Sequence, residues 1–431
     1  MKEKFQFIES LEDQLINYRR DFHKYAESGW TEFRTTSKIA EKLQGLGYKV
    51  YLGLDVVKPS SVMGRGDDKY IETQIQRAMR QGASQEIIQR MQGYTGVVAL
   101  LDTGVEGPVV AFRFDMDSND VIESTDKDHR PNQEGFASMN YGMMHACGHD
   151  GHMSIGLGLA ETIVKFKKEL KGKIKLIFQP AEEGVRGAKP IVDRGVLDDV
   201  DYFLSGHLGF QLEDGIVAVK TKGFLSTTKI DVGYTGKGAH AGAAPNEGNN
   251  ALLAAATAAL NIHAIAPHEE GVTRVNVGVL NAGVGRNVVA PNAIMKIETR
   301  GENSKLNEYI YEKTIRILES TANMYDVQVN MKKVGQAITV EANEDFIHII
   351  EEEMKDMEEI KELLPEKVLG GSEDASFMMD RVQKNGGKSA YLMFGTKIAA
   401  GHHNERFDFD ESVLIIAVKV YTKVLFKLNS L

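Results

Sequence analysis

The stretch Met144-His145-Ala146-Cys147-Gly148-His149-Asp150-Gly151-His152 is the most informative of the sequence, and it contains the single cysteine of a 431-residue chain. Its glycines allow the backbone to bend tightly, and a helical pattern of apolar residues follows it. A thiolate and an imidazole in a Cys-Gly-His sequence can both bind at one metal site. The alternative is a buried apolar cysteine beside helix-capping histidines. The stretch therefore predicts the start of a helix that carries either a metal site or a buried thiol.

Four other segments place metal-binding residue types at the end of, or after, short apolar runs that predict strands. Their sequences are Arg113-Phe114-Asp115-Met116-Asp117, Gln179-Pro180-Ala181-Glu182-Glu183-Gly184, Ser205-Gly206-His207 and Gly401-His402-His403-Asn404. In open α/β sheets, binding sites lie beyond the carboxyl ends of the strands. Each segment alone is explained by an ordinary polar loop. All of them together in one chain favour a metal centre over the buried-thiol alternative.

Strand and helix signals alternate through the first half of the chain, which predicts a mixed, mostly parallel sheet flanked by helices. Before the first strand, residues 6–48 have the apolar spacing of two amphipathic helices. Residues 59–92 are polar and favour helix, which predicts an inserted helical hairpin. This insert is either a surface decoration or an element that contacts a partner or forms the rim of the active site.

A second pattern follows, in which the predicted elements have the order β-α-β-β-α-β of a ferredoxin-like unit. The chain returns to the first pattern at both ends of this unit. We therefore predict a catalytic, metal-binding domain made of residues 1–222 and 336–431. Residues 223–335 form a domain that is inserted into it.

The composition excludes several classes of function. The net charge is −10 and no basic stripe with interleaved aromatic residues occurs, which argues against nucleic-acid binding. No stretch approaches the ~18–20 uninterrupted apolar residues of a membrane span. The N-terminal segment lacks the apolar centre of a signal peptide, and one cysteine makes no disulfide framework. These features predict a cytoplasmic protein with no nucleic-acid or membrane partner.

The ordered motifs resemble those of a known family, the dinuclear metallo-amidohydrolases, which includes aminoacylases, hippurate hydrolases and auxin-conjugate hydrolases. The motifs are Asp-x-Asp, His-Ala-Cys-Gly-His-Asp-Gly-His, Pro-Ala-Glu-Glu-Gly, Gly-His and His-His-Asn. Flanking segments are similar to the branch that acts on p-aminobenzoyl-glutamate, including Arg19-Arg20-Asp21-Phe22-His23 and Gly371-Ser372-Glu373-Asp374. The resemblance implies a zinc-peptidase-like catalytic domain and, for the inserted domain, a role as dimerisation or lid domain.

The resemblance also implies roles for the motif residues. The metal ligands that it implies are Cys147, His149, Glu183, His207 and His403. They would hold two divalent ions, for which the resemblance favours manganese while thiolate and imidazole ligands favour zinc. Glu182 would be the general base, and Asp117 would orient a metal ligand. Because other branches have His-x-Asp where this chain has Asp115-Met116-Asp117, a contact between Asp115 and metal stays open.

In the inserted domain, the resemblance implies that three residues act on the substrate. His240 would stabilise the tetrahedral oxyanion in the active site of a neighbouring subunit. Asn287 would contact the substrate, and Arg300 would bind its α-carboxylate, a task that suits a guanidinium fork.

The function implied by this resemblance is metal-dependent hydrolysis of the amide bond of an N-acyl amino acid. The leading substrate is p-aminobenzoyl-glutamate, which would give p-aminobenzoate and glutamate. Hippurate or an N-acetyl amino acid is an alternative substrate. A further alternative is a subunit that is active only when it is paired with a paralogue, so the expected partner is a second copy or a related subunit.

Overall fold

The computed structural model describes residues 1–430, which divide into two compact units. The first unit consists of Met1–Lys222, Val340–Leu369 and the residues from Asp374 onward. The second unit consists of Gly223–Thr339 together with Gly370–Glu373.

The helices are α1 (Lys2–Glu9), α2 (Glu12–Lys24), α3 (Phe33–Gly45), α4 (Asp68–Arg80), α5 (Gln85–Met91), α6 (Arg130–Gln133), α7 (His149–Lys165), α8 (Ala188–Asp193), α9 (Ala251–His263), α10 (Ser304–Met324), α11 (Glu344–Met354), α12 (Ala375–Lys384) and α13 (Val413–Asn429). The strands are β1 (Lys49–Leu52), β2 (Val97–Asp102), β3 (Val109–Asp115), β4 (Lys173–Gln179), β5 (Tyr202–Leu208), β6 (Ile216–Ala218), β7 (Thr221–Lys222), β8 (Ser226–Thr235), β9 (Thr273–Ala282), β10 (Asn292–Gly301), β11 (Gln328–Ala337), β12 (Glu362–Leu364), β13 (Lys367–Val368) and β14 (Lys388–Phe394).

The first unit is built around an eight-stranded sheet with the order β1-β2-β4-β3-β5-β14-β6-β12. Its central strands β4, β3, β5 and β14 run parallel to one another. These strands are almost continuously buried, as expected when helices cover both faces of a parallel sheet. The predicted fold class is therefore confirmed. None of the helices in residues 1–430 is both long and apolar enough to cross a membrane.

Helix α7 packs closely against the central sheet because a glycine removes a side chain from the contact. A Cβ atom at Gly156 would lie 2.7 Å from the ring of Phe114 and 2.8 Å from the ring of Phe178. This close approach fixes the start of α7 at the carboxyl end of β3, where the predicted metal-binding stretch lies.

The N-terminal region differs from the prediction of two helices, because three helices are present. The chain turns after α1, where the Ser10 hydroxyl donates a hydrogen bond to the Phe7 carbonyl oxygen at 2.6 Å. Ile8 and Leu11 flank this turn and are both buried. The apolar spacing therefore continues across a helix end, which periodicity alone does not reveal.

The second unit is a four-stranded antiparallel sheet with the order β11-β8-β10-β9. Helices α9 and α10 supply buried residues such as Ala254 and Leu318 to the same core as the inward side chains of the sheet. Strand β10 extends from Asn292 to Gly301. Pro291 directly precedes it and has no N–H for a strand ladder, so the strand begins after it. Arg300 consequently lies within the strand.

Candidate active site

The five predicted ligand residues come together at the carboxyl ends of the central parallel strands and at the start of α7. They form two groups whose ligand atoms lie within 4.8 Å of one another. The first group is Cys147, His149 and His207, and the second is Cys147, Glu183 and His403. Because Cys147 belongs to both groups, its sulfur lies close to the ligand atoms of each.

Two histidines of the first group are oriented by backbone carbonyl oxygens. His149 Nδ1 lies 2.7 Å from the Asp117 carbonyl oxygen, and His207 Nδ1 lies 2.8 Å from the Leu208 carbonyl oxygen. A carbonyl oxygen only accepts, so each Nδ1 carries a proton. His207 Nε2 is 3.4 Å from Cys147 Sγ. In both rings, Nε2 is therefore the nitrogen that would bind a metal ion.

The adjacent residues His402 and His403 have different environments. His403 has a left-handed backbone (φ 64°) and donates its N–H to the Ala146 carbonyl oxygen at 2.7 Å. Its Nε2 lies 3.2 Å from Glu183 Oε1. His402 Nε2 instead lies 3.1 Å from the Leu208 carbonyl oxygen. The backbone turn therefore brings His403, and not His402, to the ligand group.

His152 and Asp115 form a third buried group with His149. His152 Nε2 accepts a hydrogen bond from the Leu208 N–H at 3.1 Å, so its Nδ1 donates to Asp115 Oδ1. Arg113 binds the other oxygen of Asp115 at 2.8 Å. Burial raises the pKa of Asp115, but the charges of His149 and Arg113 and the hydrogen bond from His152 lower it well below its usual value. Asp115 is therefore an ionised carboxylate whose two oxygens already have protein partners.

Asp117 organises the loop that carries both glutamates. Its Oδ1 accepts from the Glu182 N–H and its Oδ2 from the Glu183 N–H, each at 2.9 Å. The Asp117 carbonyl oxygen also orients His149, as described above. One residue thus fixes the backbone of the glutamate pair and the ring of a predicted ligand, which is how supporting residues tune metal sites.

The site favours positive charge at its centre. Burial raises the pKa of Glu183, but the close approach of His403 and the charge of His149 lower it to about 2. Contacts with Cys147 and Glu183 raise the pKa of His403 to about 10. Burial raises the pKa of the Cys147 thiol, and the charge of Glu183 raises it further. The lowered pKa keeps the Glu183 carboxylate ionised, so this group presents a negative charge to a cation.

Unpartnered atoms point to the same conclusion. Within residues 1–430, His149 Nε2 and Glu183 Oε1 are buried and have no hydrogen-bond partner. The nearby His403 ring approaches Glu183 Oε1 without the alignment of a hydrogen bond. Buried polar atoms are otherwise almost always paired. Sulfur, imidazole nitrogen and carboxylate oxygen are a fitting donor set for zinc or a similar divalent ion.

Glu32 is a supporting residue that motif analysis did not identify. This fully buried carboxylate accepts the Ala181 N–H at 2.8 Å and the Thr95 hydroxyl at 2.7 Å. Ala181 has a left-handed backbone (φ 52°), which is unfavourable for a residue with a Cβ. Burial, followed by the charge of Asp117, raises the pKa of Glu32 to about 8. Glu32 therefore holds the turn that precedes Glu182, and no local sequence signal marks this contact.

The helical insert is attached to the same loop. The Arg186 side chain donates to the Glu183 carbonyl oxygen at 2.8 Å and to the Gly64 carbonyl oxygen at 3.2 Å. The Trp30 indole N–H donates to the Met63 carbonyl oxygen at 2.7 Å. The start of the insert is thus linked through the Arg186 side chain to the loop that carries Glu183.

In the second unit, His240 and Asn287 lie on neighbouring segments. The Ala241 N–H donates to the Asn287 carbonyl oxygen at 3.0 Å. His240 Nδ1 accepts from the backbone N–H groups of Gly242 at 3.2 Å and Ala243 at 3.1 Å. The neutral ring therefore carries its proton on Nε2 and can donate it to an oxyanion. Both His240 and Asn287 are exposed.

Arg300 lies on β10 and is bound by a carboxylate of its own strand. Its Nε and NH2 groups lie 3.0 Å and 3.2 Å from the two carboxylate oxygens of Glu298. Arg300 thus pairs with a carboxylate through two N–H groups of its guanidinium.

Comparisons with known proteins cover nearly the whole chain. Residues 111–427 match the family Peptidase_M20, described as peptidase family M20/M25/M40. The chain is 50% identical over 420 residues to one of the subunits of p-aminobenzoyl-glutamate hydrolase from Escherichia coli (strain K12), spanning 97% of this chain and 96% of that protein. It is 49% identical over 416 residues to the indole-3-acetyl-aspartic acid hydrolase of Enterobacter agglomerans, spanning 96% and 95%. The crystal structure of the aminobenzoyl-glutamate utilization protein from Klebsiella pneumoniae is similar with a TM-score of 0.85 and 41% identity, covering 97% of this chain and 96% of that chain.

Proposed function

This chain belongs to peptidase family M20/M25/M40, and from that premise we propose that it hydrolyses p-aminobenzoyl-glutamate to p-aminobenzoate and glutamate. The chain is a hydrolase of amide bonds, because it belongs to this family and its relatives are named hydrolases. The observation that carries the proposal is the pair of ligand groups that share Cys147, in a chain half identical to a hydrolase of this substrate.

The proposed metal ligands are Cys147, His149, Glu183, His207 and His403. Asp117 is proposed to orient His149 through its carbonyl oxygen. We propose two divalent ions, manganese being favoured for activity and zinc being possible. When bound, such ions polarise the substrate carbonyl and lower the pKa of water. The fit is supported by the unpartnered His149 Nε2 and Glu183 Oε1 atoms and by the mixed sulfur, nitrogen and oxygen donors.

Glu182 is the proposed general base. Its carboxylate lies in a group with His149 and Glu183, so it is close to two of the predicted ligands. It would take a proton from the attacking water and pass it to the leaving nitrogen of the amide. His240 Nε2–H would stabilise the oxyanion, while Asn287 and Arg300 would bind the amino-acid part of the substrate.

The proposed partner is a second copy of this chain or a related subunit. On α9, Leu253 and Leu260 are 45% and 75% exposed. Strand β9 is an edge strand of its sheet, and such edges pair readily with another chain. We place the reaction in the cytoplasm, where a single cysteine would stay reduced and able to bind metal.

The purified chain, loaded separately with manganese and with zinc, tests the proposal. Four substrates are compared: p-aminobenzoyl-glutamate, indole-3-acetyl-aspartate, hippurate and an N-acetyl amino acid. We expect the highest kcat/KM for p-aminobenzoyl-glutamate, and a higher value for any other compound would contradict the substrate assignment. If activity appears only after a related subunit is added, the chain requires a partner.

A separate measurement tests the metal ligands. Elemental analysis should find two ions per chain. Alkylation of Cys147 should be slow in the loaded protein and faster after chelation, because metal would occupy the thiolate. Equal alkylation rates in both states would contradict a role of Cys147 as ligand.

A further inference from the structure

A second arginine lies directly beside Arg300 on the sheet of the second unit. In the antiparallel register, Arg300 on β10 is opposite Arg274 on β9. Directly opposite residues point to the same face of a sheet, with Cβ atoms about 4.5–5.5 Å apart. Arg274 and Arg300 are therefore neighbouring cations on one face.

This face is the one that points away from the core of the second unit. Val275 and Val277 on β9 pack against the core, as does the buried Ile297 on β10. Because side chains alternate along a strand, Arg274 and Arg300 point to the opposite face. We call this the outer face. Arg274 is exposed, and Arg300 is 40% exposed at its side chain.

The charges on the outer face are unbalanced. Glu298 pairs with Arg300 and also accepts the Thr227 hydroxyl at 3.2 Å. Within residues 1–430, the one side-chain hydrogen bond of Arg274 goes to the Thr273 carbonyl oxygen at 2.8 Å. Lys229 lies directly opposite Glu298 and adds another positive charge. Around Arg300, one carboxylate thus lies beside three cations, in a protein whose net charge is −10.

We infer that Arg274 and Arg300 together bind the two carboxylates of an acidic amino acid, Arg300 the α-carboxylate and Arg274 the side-chain carboxylate. The inference rests on the proposed function, which it deepens by naming the feature that selects glutamate over neutral amino acids. The two carboxylates of a glutamyl group are joined by a short flexible chain. Arg274 and Arg300 extend from opposite positions on neighbouring strands, so each guanidinium can bind one of the two carboxylates in a charge-assisted pair.

The second carboxylate also explains why two like charges lie next to each other. Like charges directly opposite on a sheet destabilise it. Glu298 compensates the charge of Arg300, and a bound dicarboxylate compensates both arginines. A neutral amino acid offers one carboxylate and leaves Arg274 without an anion. Arg274 therefore determines substrate specificity and does not take part in hydrolysis of the amide bond.

The test compares p-aminobenzoyl-glutamate with p-aminobenzoyl-glutamine, which differs by a neutral amide at the end of the side chain. The metal-loaded wild-type protein should prefer the glutamate compound roughly 10-fold or more in kcat/KM, the effect of one charge-assisted contact. Arg274→Gln should reduce this preference to about threefold or less, by raising KM for the glutamate compound while leaving the glutamine compound nearly unchanged. Arg274→Glu should reverse the order of the two substrates.

Arg316→Gln is the matched control. Arg316 is exposed on α10, a helix that packs on the core side of the sheet, so this variant removes the same charge from the same unit. It should keep the wild-type preference. An unchanged preference in Arg274→Gln, or an equal loss for both substrates, would overturn the role of Arg274. If wild-type protein hydrolyses neither compound, the proposed function fails instead, so the two failures are distinguishable.

Discussion

The metal-ligand groups of the first unit and the outer face of the second unit hold their polar side chains in different ways. His149 and His207 are buried, and each ring is fixed by a backbone carbonyl oxygen. Arg274 is exposed and Arg300 is half-buried, and the partner of each lies on its own strand. The first region is therefore held by buried hydrogen bonds, whereas the side chains of the second are open to solvent. We expect the first to control catalysis and metal binding and the second to control substrate affinity.

The largest effect should follow from a change in the first region. Glu182→Gln removes the proposed base but keeps the size of the side chain. We expect kcat to fall by ~100-fold or more, as for loss of a general base, while two ions per chain remain bound. Steady-state kinetics and elemental analysis on the same preparation measure both quantities. Activity within threefold of wild type at full metal content would show that Glu182 is not the base.

His240→Ala tests the second unit and should reduce kcat about 100-fold, because an oxyanion contact acts in the transition state. In wild-type protein, two backbone N–H groups donate to His240 Nδ1, so Nε2–H is the group left to donate to the oxyanion. His240→Asn has a shorter side chain and should recover little of the lost kcat. Mixing His240→Ala with Glu182→Gln protein should restore part of the activity if His240 acts across a dimer. No recovery, where subunit exchange is demonstrated, would assign His240 to its own chain.

Arg300→Ala should have a smaller effect, and on a different constant. KM for p-aminobenzoyl-glutamate should rise 10- to 100-fold, since a bidentate charged contact contributes roughly 1.5–3 kcal/mol. The same substrate with an amidated α-carboxylate should show little change. If kcat fell while KM stayed constant, the comparison between the two regions would fail, because Arg300 would act in catalysis.

Local motifs predicted much of the first region because its ligands follow strand ends, where a short segment contains both the strand and the ligand. The choice between His402 and His403 was implied by family resemblance alone. It depends on a left-handed turn at His403 that adjacent identical residues do not reveal. Periodicity also overlooked the turn after α1, where Ile8 and Leu11 are both buried.

Contacts between distant segments were beyond local motifs. Arg274 became significant only through the register that places it opposite Arg300, and register depends on the whole sheet. Glu32 is far from Ala181 in the sequence, yet it binds its backbone N–H. Such contacts depend on tertiary packing, which leaves neither a periodic pattern nor a local motif in the sequence.

The smallest expected effect concerns Glu32, which supports the first region without belonging to either ligand group. Glu32→Ala leaves the buried Ala181 N–H without an acceptor, at a cost of about 1–3 kcal/mol in the free energy of unfolding. If about 1 kcal/mol of that cost appears in the transition state, kcat/KM falls roughly fivefold. Glu32→Gln keeps an oxygen for the Ala181 N–H and can donate its NH2 group to the Thr95 hydroxyl, so kcat/KM should stay within about twofold of wild type.

Thr95→Val is the control, because it removes the second contact of Glu32 and spares the first. Kinetics, metal content and thermal unfolding are compared for all three variants. If the alanine and glutamine variants have the same kcat/KM, Glu32 does not position the loop of Glu182 and Glu183 through its hydrogen bond with the Ala181 N–H. Asp117 would then be the residue that positions this loop.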